Sequence, residues 1–248
     1  MKGFWPIFKR ELFAYFVTPL AYVLILAFVF WQGLHFYLLV RSFAQMTEAS
    51  IDQGPVQAFF GGDVFYYLPL ILICPAITMR LFAEERRSGT IETLLTAPVS
   101  TTGVVLAKFA AAMVAYLAMW APTILYIIVM KRAGDIDWRI VGTSYLGVLG
   151  VGAQYIALGT MMSAVARSQL VALILSSIVI LGFFLLGLGE FVLDEGPARE
   201  MCGYMSVWSQ MGELSKGIVD SRRLVLDGSL VLFPLYVTSR LVDAWRWG

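Results

Sequence analysis

Asp, Glu, Lys and Arg are absent from five long stretches of the chain: 12–40, 64–79, 109–130, 140–166 and 169–189. Within them the residues are continuously apolar, with no alternation of the kind an outer-membrane β-strand shows over about ten positions. A helix crosses a hydrocarbon core about 30 Å thick with ~20 residues at ~1.5 Å each. Four stretches reach that length unaided. The stretch 64–79 reaches it once Phe59 and Phe60 are added and Arg80 snorkels to the interface. A sixth candidate, 224–242, has Asp227 and Arg240 near its ends, and its charge-free centre, 228–239, is also short enough for a re-entrant segment. Trp245, Arg246 and Trp247 follow it as an interfacial anchor. The pattern predicts an all-α integral membrane protein with six transmembrane helices.

Composition agrees. Of 248 residues, 59% are hydrophobic and 14% are charged, against about 25% charged in ordinary soluble domains; the mean hydropathy is +0.78. This excludes intrinsic disorder, a disulfide scaffold and a soluble enzyme. A net charge of +1 offers nothing to hold a nucleic acid. Six spans place both termini on one side. With that side inside, the inner segments hold ten basic and five acidic residues and the outer ones eight and twelve. Both termini are therefore predicted cytoplasmic. The apolar stretch after Arg10 is too long for a signal-peptide core and is expected to remain as the first span. Cys74 and Cys202 are too far apart in depth to pair.

Residues 1–17 form the first segment of interest. Trp5, Phe8, Leu12 and Phe16 recur at helical spacing while Lys9, Arg10 and Glu11 take another face, which predicts an amphipathic helix at the inner interface. Thr18 and Pro19 read as an N-cap and first helical position for the next helix. In the outer segment, 190–223, Met201, Met205, Trp208, Met211, Leu214 and Ile218 predict one amphipathic or re-entrant helix. Met201, Cys202 and Met205 are also soft ligands, but without a nearby histidine they read as an apolar face. Ala107, Ala111 and Ala115, and Gly147, Gly150, Gly152 and Gly159, are stripes of small residues that let helices approach closely.

Catalytic chemistry is sparse. His35 is the only histidine and lies inside the first span; no H-E-x-x-H, C-x-x-C, G-x-S-x-G or P-loop pattern occurs. Asp135-Ile136-Asp137 falls in a short outer loop, where a capping or turn role outweighs metal–nucleotide binding. The dense polar feature is the inner loop after the second span, from Glu84-Glu85-Arg86-Arg87-Ser88-Gly89-Thr90 through Glu92 to Pro98 and Ser100. Paired acids followed by paired arginines suit charge-assisted docking of a partner. Composition alone would assign the loop no more than solvation.

That string resembles the E-R-R-S-G-T-x-E-x-L-L segment of the ABC-2 type transporter permeases, and the six spans, the N-terminal helix and the patterned outer segment are similar to the same family. Residues 217–222 resemble its gliding-motility-associated branch. The resemblance implies an elbow helix over 1–17, with Trp5, Phe8, Lys9 and Arg10, and a transmembrane domain over 18–248. It implies that the loop 84–100 is a coupling helix inserted into a separate ATPase, with Glu85, Arg86 and Arg87 as leading contacts and Glu84, Ser88, Gly89, Thr90, Glu92 and Pro98 around them. It further implies two P-loop subunits that hold ATP and Mg, a second permease subunit, surrounding membrane lipid and export across a prokaryotic plasma (inner) membrane, with no cofactor on this chain. Two rivals remain at this point: an ATP-driven mechanical complex acting on an extracytoplasmic accessory protein, and an intramembrane enzyme working through Asp135 and Asp137.

Overall fold

The computed structural model describes residues 3–45, 54–61, 64–91 and 99–247. Among these the chain is all helix and turn. Helix α1 (Phe4–Val17) leads into α2 (Pro19–Gln45), followed by α3 (Pro55–Phe60), α4 (Val64–Thr78) and α5 (Ala83–Ser88). Then come α6 (Thr101–Trp120), α7 (Ile124–Ala133), α8 (Trp138–Val165) and α9 (Gln169–Val192). Two short outer helices, α10 (Pro197–Met205) and α11 (Val207–Leu214), precede the last, α12 (Ser221–Trp247). Six helical stretches are long and apolar enough to cross a membrane: Pro19–Gln45, Tyr66–Ser88, Thr101–Ala133, Trp138–Val165, Gln169–Val192 and Ser221–Trp245.

Side-chain contacts give the direction of each span. Phe28 meets Trp120 and Phe36 stacks on Tyr126, so α2 runs alongside α6 and α7 in the same sense. The Tyr116 hydroxyl donates to the Val148 carbonyl, and Ser163 at the end of α8 meets Phe82 after α4, so α4 and α8 run the other way. Trp245 packs on Phe82, which brings the end of α12 beside α5. The spans alternate in direction, and Gly3 and Trp245 lie at one end of the bundle, called inner below. The last span is one continuous helix through Pro234, not a re-entrant segment.

Helices α4 and α8 form the buried centre. Tyr66, Tyr67, Tyr116, Trp120 and Tyr155 fill it, all fully or nearly buried. The glycine stripe of α8 makes this packing possible. A Cβ at Gly152 would sit 2.2 Å from the Tyr116 ring, and one at Gly159 would sit 2.2 Å from Thr78 Oγ1. Ala107, Ala111 and Ala115 of α6 are buried likewise. Helices α2 and α9 lie outside and show Leu26, Phe30, Ile178 and Leu185 on the surface.

Three local expectations are revised. The third span is divided: Ala121–Thr123 forms a 3₁₀ turn, because Pro122 has no N–H to continue the α ladder. The outer segment is two helices rather than one. Ser206, extended at φ −71°, ψ 112°, accepts from the Ser209 N–H and starts α11 afresh. Thr18 does not cap α2 with its side chain; its hydroxyl donates back to the Ala14 carbonyl and accepts from Arg80. Asp137 does cap α8, accepting from the Arg139 N–H at 2.8 Å. His35 is a packed residue, stacked 5.2 Å from Phe59.

Candidate functional site: the inner end of the bundle

Helix α1 runs along the first half of α6. Gly3 lies against Val99 and Glu11 pairs with Lys108, while Phe16 shares a cavity wall with Ala115. Thr101–Ala133 has 33 residues, which at ~1.5 Å each makes a rod of about 50 Å, longer than a hydrocarbon core of about 30 Å. The inner part of α6 is the one that carries α1 and the charges.

Ser100 fixes where α6 begins. Its backbone is extended and its side chain accepts from the Gly103 N–H. Lys108 consequently lies two turns inside the helix, only 1% exposed. Burying an ammonium there requires compensation. Two carboxylates supply it: Glu11 of α1 at 2.9 Å and Glu85 of α5 at 3.0 Å. Arg10 bridges the same two acids from the solvent side. Three helices distant in sequence thus meet on one ammonium. Burial disfavours the charged form of Glu11, but Lys108 and Arg10 outweigh it, and its carboxyl pKa is lowered.

The predicted partner-facing string divides in two. Glu85 is 9% exposed and committed to Lys108 and Arg10. Arg86 donates from Nη1 to the carbonyls of Ala164, Val165 and Ala166 at 3.0–3.3 Å, capping the C-terminal end of α8, and its guanidinium lies 4.7 Å from the Trp245 ring centre. Glu85 and Arg86, expected to face an ATPase, are thus engaged within the chain. Arg87, Ser88, Gly89 and Thr90 are exposed. Ser88 ties its hydroxyl to the Glu84 carbonyl and to Thr90, and Gly89, at φ +73°, ends α5 in the left-handed conformation. Glu92 and Pro98 lie outside the described residues. Ser163 holds the start of α5 to α8 by accepting from the N–H groups of Phe82 and Ala83.

Of the predicted elbow residues, Trp5 and Lys9 are exposed and stack on each other, and Phe8 is half-buried against Phe4 and Trp5. Arg10 alone among them joins the charge network. Lys108 and Glu11 were not singled out from sequence. The available signal was Ser100-Thr101-Thr102, a helix start that moves Lys108 from a loop into a span.

A family model described as ABC-2 family transporter protein matches residues 41–211. The chain belongs to that family. The match covers the second to fifth spans and the inner string, and stops before α12. No curated protein matches the chain. An ABC-2 permease is a membrane component of a transport system, and the all-helical bundle described above fits that role.

Proposed function

We propose that this chain is the permease subunit of an ABC exporter, driven by ATP and Mg held on two separate P-loop subunits. The observation that carries this reading is the division of the inner string. Its first half is locked into the bundle through Lys108, Arg10 and the end of α8, while its second half, from Arg87 to Thr90, is presented to a partner. A partner that grips 87–98 moves α5, and α5 cannot move without α1, α6 and α8. That is how a rigid-body change in an ATPase reaches the spans.

The centre of one subunit is filled by aromatic side chains, which favours a pathway between two permease subunits, identical or related, over one through a single bundle. The end that binds the ATPases, and with it both termini, faces the cytoplasm of a prokaryotic plasma membrane. A second reading, an ATP-driven mechanical complex of the gliding-motility-associated type, is favoured by the exposed apolar residues Met201, Tyr204 and Ile218 at the outer end, which suit an extracytoplasmic partner.

The test is purification in mild detergent with partner identification and ATPase assay. A stoichiometric P-loop ATPase whose turnover loses coupling in Arg87→Glu, with the bundle still folded, supports the permease reading. Arg86→Glu should instead destabilise the chain itself. A preparation with no ATPase partner and no ATP turnover sinks the proposal; an outer protein co-purifying through 197–218 favours the mechanical reading.

A further inference from the structure

The permease reading leaves one acid of the last span unused. Asp227 is half-buried in the outer half of α12. Its Oδ1 accepts from Gln154 Nε2 of α8 at 2.7 Å, and its Oδ2 accepts from Gln210 Nε2 of α11. Gly150, one turn before Gln154, lets the carboxylate approach: a Cβ there would lie 3.3 Å from Oδ2. Gln154 is 1% exposed, and its Oε1 is buried with no hydrogen-bond partner. A buried carboxamide oxygen in that position calls for a donor.

Few charges bear on this carboxyl. Beyond Arg139 in its first turn, α8 carries none. Helix α6 carries only Lys108, at the inner end, and α11 carries only Glu213, with the exposed Lys216 beyond it. Arg223, one turn before Asp227 on α12, is the cation beside it. Its Nη2 is paired with Glu213 at 3.1 Å, so the guanidinium is held towards α11. It favours the ionised carboxylate through space without donating to it.

An ionised carboxylate only accepts hydrogen bonds, and so cannot supply the donor that Gln154 Oε1 lacks; a protonated carboxyl can. A carboxylic acid and a primary amide are complementary at both ends. The amide N–H gives to one acid oxygen, and the acid O–H gives to the amide oxygen. The Nε2–Oδ1 contact is half of such a pair, and the unpaired Oε1 is the acceptor for the other half.

We propose that Asp227 and Gln154 form a proton-binding site, in which a proton from solvent at the outer end sits on Asp227 Oδ2 and is donated to Gln154 Oε1. Neutralising the carboxyl removes the charge assistance from the Gln210 bond, and charge-assisted hydrogen bonds are about twice as strong as neutral ones. Ionised, Asp227 joins α8, α11 and α12; protonated, it keeps α8 and loosens α11. The site goes beyond the permease reading and does not depend on an ATPase.

The test uses the full chain in lipid vesicles, titrated from about pH 8 to about pH 4 to bracket carboxyl ionisation. Infrared difference spectra follow the carbonyl stretch of protonated carboxyls, and Asp227→Asn, close in shape, identifies the Asp227 band. Gln154→Leu should lower the proton affinity about tenfold, which is about one pH unit, because the O–H loses its acceptor. Gln210→Leu should raise it, because the ionised form loses a donor. Glu213→Gln should lower it, by releasing Arg223 towards the carboxylate. Hydrogen exchange across 207–214, corrected for the intrinsic effect of pH, should quicken in acid in the wild type and be quick at both pH values in Asp227→Asn. An Asp227 that stays ionised down to about pH 4 overturns the proposal. So does a Gln154→Leu change that leaves or raises the affinity, or exchange across 207–214 that ignores pH. Should Asp227→Asn fail to fold, the opposite shifts of the two glutamine variants and the wild-type exchange still decide the question.

Discussion

The two ends of the bundle bury charge in opposite ways. At the inner end a cation, Lys108, is held by Glu11 and Glu85 from two other helices. At the outer end an anion, Asp227 of α12, accepts from the side-chain amides of Gln154 in α8 and Gln210 in α11. The inner arrangement is a network of full charges that also reaches Arg10 and solvent; the outer one is a carboxylate that accepts from two neutral amides, with the Arg223 guanidinium, paired with Glu213, nearby. Amides hold a carboxylate without needing a counter-charge to stay in place, so the outer cluster works as a fixed rivet between α8, α11 and α12. Charge networks lose far more when one member leaves, because each remaining charge is then buried unpaired. On the proposed function, that difference suits an inner end that transmits motion from a partner and an outer end that holds still.

Removing Lys108 breaks the comparison most severely. Lys108→Met leaves Glu11 and Glu85 sharing Arg10 alone, and should cost about 3–5 kcal/mol in unfolding experiments in detergent. Adding Glu11→Gln and Glu85→Gln in the same chain should restore much of that loss, since the uncompensated charges are gone. A single variant as stable as the parent would mean that Lys108 is not the hub.

The outer rivet should give less. Asp227→Leu leaves two amide groups without their acceptor, for about 1–3 kcal/mol. Hydrogen exchange should place the loss locally, with faster exchange across 207–214, where Gln210 belongs. Loss spread evenly over the inner end would erase the distinction between rivet and network.

How much of this contrast the sequence carried differs between the ends. Gaps in charge located five of the six spans, because apolar side chains must fill a span whatever its neighbours are; the second runs on to Ser88 and does not take in Phe59 and Phe60, which lie in α3, and the sixth has Asp227 and Arg240 near its ends. Lys108 fell one residue outside the 109–130 gap and so read as a loop charge; only the start of α6 at Ser100 shows it to be internal. Glu11 read as part of a polar face with Lys9 and Arg10, yet it turns inward while Lys9 stays exposed. Which face of α1 meets α6 depends on packing between segments about a hundred residues apart, and periodicity does not encode that. Asp227 was visible as a charge near a span's end, but its amide partners are two glutamines unremarkable in sequence.

Acid should separate the ends by a smaller effect. The lowered pKa of Glu11 means that its ionised form is favoured by folding. Its contribution is fully present above the ordinary carboxylate range and is lost as pH falls through the lowered value in the folded state. Stability of the α1–α6 contact should therefore hold steady from neutral pH down to the ordinary carboxylate range and decline below it. The Glu11→Gln variant should show a flatter profile in thermal unfolding against pH. A decline already complete at mildly acidic pH would contradict the sign.

The smallest effect compares two glycines, one at each end. Gly89 closes α5 at φ +73°, and Gly217 closes the turn after α11 at φ +80°, where the Ile218 N–H reaches back to the Glu213 carbonyl. A Cβ at Gly89 would meet nothing within 4 Å, and one at Gly217 would meet only Ile140 Cγ1 at 3.8 Å. Space is therefore not the issue at either position, and each Gly→Ala change costs only the left-handed backbone penalty of about 1–2 kcal/mol. Stability losses should match between the two variants. Function, on the proposed reading, should not, because Gly89 sits among the exposed residues Arg87–Thr90 proposed to meet the ATPase, whereas the chain leaving Gly217 enters α12. Gly89→Ala should weaken ATPase coupling and Gly217→Ala should leave it unchanged. Equal coupling in both would mean that the direction in which α5 ends does not matter to the partner, and the inner string would lose its claim to be the contact.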